Sequence, residues 1–157
     1  MTRIGFGYDS HVFEDGKPLF LGGVLIPGAA GLKAHSDGDV LIHALIDALF
    51  GAAAMGDIGS HFPDTDDRWK DVNSMMLLES AVAEVSAEGY RVSNVDLTVV
   101  CERPRIRPYA DDIRASIAGA LGIDVSCVSV KAKTNEGMDA VGEGRGMAVW
   151  AAVLLDR

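Results

Sequence analysis

The chain has 157 residues, 48% of them hydrophobic and 24% charged, with a formal net charge of −9. That length indicates one domain, the apolar fraction supports a core without disulfides, and the composition excludes wholesale disorder. The acidic balance excludes a phosphate backbone held by clustered Lys and Arg, so nucleic acid is not an expected partner; a small phosphorylated ligand would need local cations or bound metals to overcome the field.

A first strand is expected over Arg3 to Asp9, followed by a hairpin in which Pro18 to Leu21 and Val24 to Ile26 flank Gly22 and Gly23. A helix begins near Ser36 and Asp37, either of which can cap it. Val40, Leu41, Ala44, Leu45, Ala48, Leu49 and Ala52 then recur at helical spacing up to Gly56. The polar segment DIGSHFPDTDD reads as a loop. A second helix runs from about Val72 to Glu88, with Met75, Leu78, Val82 and Val85 on its buried side. The β-branched run Val92 to Cys101 reads as a strand. ERPRIRP is irregular because of Pro104 and Pro108, and a third helix runs from Pro108 to Gly122. Strands Ser126 to Lys133 and Met147 to Leu155 complete the chain.

This order gives an α/β fold, an α+β sandwich: a four-stranded mixed sheet with helices on one face. The uncovered sheet face, bordered by the apolar strand MAVWAAVLL, implies burial against further subunits. Cys101 and Cys127 read as reduced, buried thiols. MTRIGFGYDSH carries no apolar signal core, and no run approaches the roughly 18 apolar residues of a membrane span. A soluble, cytoplasmic protein is expected.

Asp9 and His11 are two apart at the end of the first strand, so both point to one face. Asp39, His43 and Asp47 are spaced four apart and share one side of the first helix. One carboxylate and two imidazoles, Asp9, His11 and His43, leave a fourth position open, as in catalytic zinc sites. Asp47 could orient the outer nitrogen of His43. The spacing also allows strand-end polar residues and a satisfied core histidine. HSDGD, containing His35 and Ser36, is a candidate anion site at a helix start. KAKTNE places Lys131, Lys133, Thr134 and Glu136 at a strand end, where they could hold a phosphate and a Mg²⁺ ion or be simply solvated. His61 reads as a loop residue. GFG and GEGRG lack the context of a phosphate loop and read as turn or close-packing glycines.

Together, RIGFGYDSHVF, AHSDGDVLIHALIDALFGAAAMGDIGSHFPDTD, KAKTNEGM and GEGRGMA resemble the 2-C-methyl-D-erythritol 2,4-cyclodiphosphate synthase family of non-mevalonate isoprenoid biosynthesis over essentially the whole chain. The resemblance implies a homotrimer with active sites between neighbouring subunits. It implies a catalytic set of Asp9, His11, His43, His35, Thr134 and Glu136, with Zn²⁺ on Asp9, His11 and His43. Glu136 would help place Mg²⁺ or Mn²⁺ on the substrate diphosphate. His35 and Ser36 would meet the methylerythritol-side phosphate. Asp57, Gly59 and the loop Phe62, Pro63, Asp64, Thr65 and Asp66 would hold the sugar alcohol. Cys101, Glu102, Arg103, Pro104, Arg105, Ile106 and Arg107 would form the cytosine pocket, with Lys133, Thr134 and Asn135 near the nucleotide phosphates and ribose. The implied reaction closes a cytidine diphosphate substrate into a cyclic diphosphate and releases CMP, a phosphorus–oxygen lyase.

Two segments depart from the family pattern. KAKTNE replaces a threonine-rich version, which bears on Lys133 and Asn135. GEGRG inverts the common G-R-G-E-G order, exchanging Glu143 and Arg145, so the isoprenoid diphosphate that some members bind in the trimer cavity is not carried over to this chain. The length leaves no room for the cytidylyltransferase fused to some relatives. A zinc phosphohydrolase giving a linear product and a non-catalytic binding module are the alternatives to a cyclase.

Overall fold

Alternation of small and large residues at the N-terminus produces a long first strand, β1 (Arg3–Glu14), in a computed structural model that describes residues 1–157. The hairpin β2 (Leu19–Leu21) and β3 (Val24–Ile26) follows, then a short strand β4 (Gly31–Leu32). Helix α1 spans Val40–Ala53, a single turn α2 spans Ile58–His61, and α3 spans Ser74–Ala87. Strand β5 (Arg91–Val100), helix α4 (Ala110–Leu121), strand β6 (Val128–Lys133), a short α5 (Asp139–Gly142) and strand β7 (Gly146–Asp156) complete the order.

The sheet runs β4-β1-β7-β5-β6 and is mixed: β5 and β6 are parallel, joined through α4, and the other pairs are antiparallel. It therefore has five strands where the sequence suggests four. The added strand is β4, whose two residues pair with Phe13 and Glu14. Two residues are too few to show an alternating pattern. The first strand also continues five residues past Asp9, because Asp9 to Val12 stay paired with Gly146 to Val149 of β7.

Helix α1 is buried on almost every side, from Leu41 and Leu45 to Leu49 and Phe50. It lies directly on β1 because Gly5 and Gly7 have no side chains. A Cβ on Gly5 would sit 1.8 Å from the Ala48 carbonyl oxygen, and one on Gly7 would sit 2.0 Å from that of Ala44. The GFG motif is thus a close-packing device. The intervening residues point the other way: Ile4 is 75% and Phe6 67% exposed, and Tyr8, Val12 and Trp150 are also exposed. Tyr8 and Trp150 are register partners with ring centroids 5.1 Å apart. One sheet face is thus open and apolar.

The start of α1 differs from expectation. Its cap is Asp39, not Ser36 or Asp37. The fully buried Asp39 carboxylate accepts the N–H of Ile42 and also those of Gly22 (3.0 Å) and Gly23 (2.8 Å) in the β2–β3 turn. Burial pushes its pKa up to about 6 against those hydrogen bonds. This long-range pairing selects the cap, and local sequence does not display it. In α3 the buried side is Ser74, Leu77, Leu78, Ala81 and Val85; Met75 and Val82 are only half-buried. The third helix is preceded by a single 3₁₀ turn over Arg107–Tyr109, so its α-helical part starts two residues after Pro108.

Both cysteines are free. Cys101 is buried just beyond β5, and Cys127 lies half-buried in a 3₁₀ turn before β6 rather than within the strand. Burial, reinforced by the neighbouring Glu102 charge, pushes the Cys101 thiol up to about 11.

Two outcomes are expected. Gly7→Ala should destabilise the protein by about 2 kcal/mol or more, since backbone rather than a flexible side chain must yield; denaturant unfolding at fixed protein concentration measures this. Burial and the raised pKa keep the Cys101 thiol protonated and shielded at pH 8. Iodoacetamide labelling read by mass spectrometry should therefore modify Cys127 well before Cys101.

Candidate active site

Strand β1 presents Asp9 and His11 on its helix-facing side, and α1 presents His43 opposite them. The His11 Nε2 is 2.9 Å and the His43 Nδ1 3.1 Å from Asp9 Oδ2, and the two ring nitrogens are 3.3 Å apart. Four tetrahedral donors at zinc–nitrogen and zinc–oxygen distances stand roughly 3.3 Å from one another. One carboxylate oxygen and two imidazole nitrogens at these separations fit a divalent ion without rearrangement.

Proton placement agrees. His11 Nδ1 lies 2.8 Å from the Lys33 carbonyl, which only accepts, so Nδ1 carries a hydrogen; Nε2 then either holds a second proton against the Asp9 carboxylate or, in the neutral ring, offers its lone pair to a metal. Burial alone would raise the Asp9 pKa, but hydrogen bonds to His11 and His43, and then their charges, hold it well below the usual carboxylate range. Burial disfavours charge on His11, yet the Asp9 carboxylate outweighs it and the His11 pKa is raised. The three inward groups thus compete for positive charge, from a proton or from a metal.

His43 Nε2 faces Ser36 Oγ at 3.0 Å and Ser74 Oγ at 3.1 Å. Asp47, expected from its i+4 spacing to hold this nitrogen, instead accepts the Ile58 N–H at 2.8 Å and ties α2 to α1. Burial raises the Asp47 pKa against that bond. Ser74 is separated from His43 by 31 positions, and no spacing rule connects them.

A cavity of about 370 Å³ opens beside the triad, lined by His11, His35, Ser36, His43, Gly59, Phe62, Pro63 and Asp64, with Ile58, Trp69 and Leu77 as apolar walls. Ile58, Trp69 and Leu77 were not among the expected site residues; α2 and α3 bring Ile58 and Leu77 against α1 only in three dimensions, and Trp69 packs edge-on to Phe62. Of the remaining loop residues, Asp57 caps α2 through Ser60, and Asp66 caps the following 3₁₀ turn and pairs with Arg68. Thr65 is exposed. His61 does more than span the loop: Nδ1 meets Glu84 at 2.8 Å, Nε2 meets the Met55 carbonyl at 2.8 Å, and the ring stacks on Phe50.

The other expected residues gather elsewhere. Cys101, Glu102, Pro104, Arg105, Ile106, Arg107, Lys133 and Thr134 line a separate cavity of about 150 Å³. Arg103 turns to a neighbouring, larger hollow with Phe13, Asp15 and Glu143. The Asn135 N–H donates to Glu102 Oε1 at 2.8 Å, and Thr134 Oγ1 donates to Glu136 Oε1 at 3.0 Å. Lys131, on the same strand, pairs with Asp96. In the GEGRG turn Arg145 pairs with Glu143 at 2.8 Å, and the segment leads into β7. Within one chain the triad cavity and the Cys101–Thr134 cavity share no lining residue, and Glu136 is not among the groups that meet at Asp9.

The YgbB family model matches residues 2–156. The 2-C-methyl-D-erythritol 2,4-cyclodiphosphate synthase of Salinibacter ruber is 55% identical over 150 residues, 96% of each chain. A CDP-bound structure of 2C-methyl-D-erythritol-2,4-cyclodiphosphate synthase superposes with a TM-score of 0.90 at 40% identity, covering 98% of this chain and all of that one. The bifunctional IspDF of Campylobacter jejuni superposes with a TM-score of 0.95 at 42% identity over 99% of this chain, which spans only 42% of that longer protein. With the match running from end to end, the chain belongs to the YgbB family.

Proposed function

We propose that the chain closes 4-diphosphocytidyl-2-C-methyl-D-erythritol 2-phosphate into 2-C-methyl-D-erythritol 2,4-cyclodiphosphate and releases CMP, in isoprenoid precursor biosynthesis. The observation that carries the reading is the convergence of Asp9, His11 and His43 beside a half-apolar cavity, in a chain 55% identical to a protein bearing that synthase name. The CDP found on a structural relative supports a cytidine diphosphate substrate here.

An oxygen of the 2-phosphate attacks the β-phosphorus of the same molecule. The new P–O bond closes the ring, and the bond from the β-phosphorus to the bridging oxygen breaks, leaving that oxygen with CMP. Zn²⁺ on Asp9, His11 and His43, and Mg²⁺ or Mn²⁺ associated with Glu136, would neutralise the phosphate charges. The chain's own task is positioning. His35 and Ser36 hold the 2-phosphate at the mouth of the triad cavity, while Gly59 and the Phe62–Asp64 stretch enclose the sugar alcohol. Backbone of Cys101 to Arg107 holds the cytosine, and Lys133 and Thr134 orient the nucleotide phosphates. No side chain is required as nucleophile.

The two separate cavities support an active site assembled between subunits, with the triad from one and the cytidine pocket from its neighbour. The open face of Ile4, Phe6, Tyr8, Val12 and Trp150 supports a homotrimer formed through the sheets. No helix is long and apolar enough to cross a membrane, which accords with a cytoplasmic location.

Phosphorus NMR of the product with Zn²⁺ and Mg²⁺ present should show a cyclic diphosphate together with stoichiometric CMP; a linear phosphate would make the protein a hydrolase instead. His43→Ala should lose zinc and at least about 100-fold in rate while remaining a trimer, and normal zinc content would contradict the site. Glu136→Gln should shift the Mg²⁺ dependence and leave zinc in place. A raised His11 pKa means that protons compete with zinc at higher pH than on an ordinary histidine. Zinc retention should accordingly fall on acidification through the weakly acidic range, as followed by equilibrium dialysis.

A further inference from the structure

His43 coordinates through Nδ1 only if Nε2 carries the hydrogen. The side chains around Nε2 decide this. Ser74 is fully buried at the first residue of α3, with its hydroxyl 3.1 Å from Nε2. Its hydroxyl proton is already committed: Ser74 Oγ donates to Asp37 Oδ1 at 2.5 Å. The other oxygen of Asp37 accepts the Ser74 N–H at 2.9 Å, and Oδ1 also accepts the Asp39 N–H at 3.1 Å. Asp37 thus holds the N–H and O–H of one residue together, which fixes the serine rotamer. A hydroxyl has a single proton. With that proton on Asp37, Ser74 offers Nε2 only lone pairs, so Nε2 must donate.

Ser36 does not impose this choice. Its Oγ lies 3.0 Å from Nε2 and accepts the Gly38 N–H at 3.3 Å, leaving its own proton free to point either way.

We propose that Ser74, held by Asp37, is a positioning residue of the metal centre, fixing the tautomer and ring orientation of His43. The carboxylate acts through an intervening hydroxyl rather than by touching the imidazole, the role a direct carboxylate partner plays on many metal-bound histidines. It also ties the centre to the start of α3, so that three elements, β1, α1 and α3, set its geometry. The inference rests on the reading of Asp9, His11 and His43 as a divalent-metal site.

The test is zinc affinity of the assembled protein, measured by competition with a chromogenic chelator. Ser74→Ala should weaken zinc by roughly 10- to 100-fold. Ser74→Thr, which keeps the hydroxyl, should restore most of the affinity. Metal-free Ser74→Ala should lose some thermal stability, because Asp37 loses its hydroxyl donor, but a purely structural role would leave the zinc affinity of the folded variant unchanged. Unchanged zinc affinity in Ser74→Ala, with the parent binding normally, overturns the role of Ser74 and leaves the metal site standing. A parent protein that binds no zinc overturns the metal reading itself. Should Ser74→Ala fail to fold, ¹⁵N-histidine NMR of the zinc-loaded parent decides: a protected Nε2–H on His43 is expected, and a proton on Nδ1 contradicts the proposal.

Discussion

The contact between β1 and α1 is the constraint from which the site follows. Gly5 and Gly7 let the helix backbone rest on the strand, with the carbonyls of Ala44 and Ala48 filling the space their Cβ atoms would occupy. Two and four residues beyond Gly7 along the same strand come Asp9 and His11, on that same face. His43 sits one position before Ala44 on the helix. Side chains in place of these glycines would push the helix off the strand and hold the imidazole of His43 away from it. Close packing brings its Nδ1 to 3.1 Å from Asp9 instead. The glycines thus belong to the site although they touch no ligand.

Charge gives the site its character. Three inward donors within 3.3 Å of one another repel unless a cation lies between them. The protein at large is acidic and contributes no broad positive field toward an anionic substrate. A substrate with several phosphate charges therefore depends on local cations, of which metal ions are the most concentrated. Ile58, Phe62, Trp69 and Leu77 give the cavity beside that centre its apolar walls, and a substrate seated there would displace water and strengthen each interaction within it. Partners on the far sides of both histidines, the Lys33 carbonyl and the buried Ser74 hydroxyl, keep the donors aimed inward.

Much of this was legible in the sequence where the pattern is local. The period of α1, the hairpin at Gly22 and Gly23, the order of the main strands and the D-x-H pair at Asp9 and His11 all declare themselves over a few residues. What was hidden depends on residues far apart in the chain. Asp39 caps α1 because it also binds the Gly22 and Gly23 amides, so Ser36 and Asp37, equally good caps locally, are displaced. Asp47 shares a helix side with His43 but is turned to Ile58. Ser74 carries no signature, since its partner lies 31 residues earlier. Strand β4 is too short for any alternation to register.

The most direct measurement is anomalous diffraction at the zinc edge from zinc-loaded crystals. The expected result is one ion per chain, about 2.0–2.2 Å from Asp9 Oδ2, His11 Nε2 and His43 Nδ1. Zinc bound elsewhere, or held through His43 Nε2, would contradict the central claim that these three atoms form the metal centre.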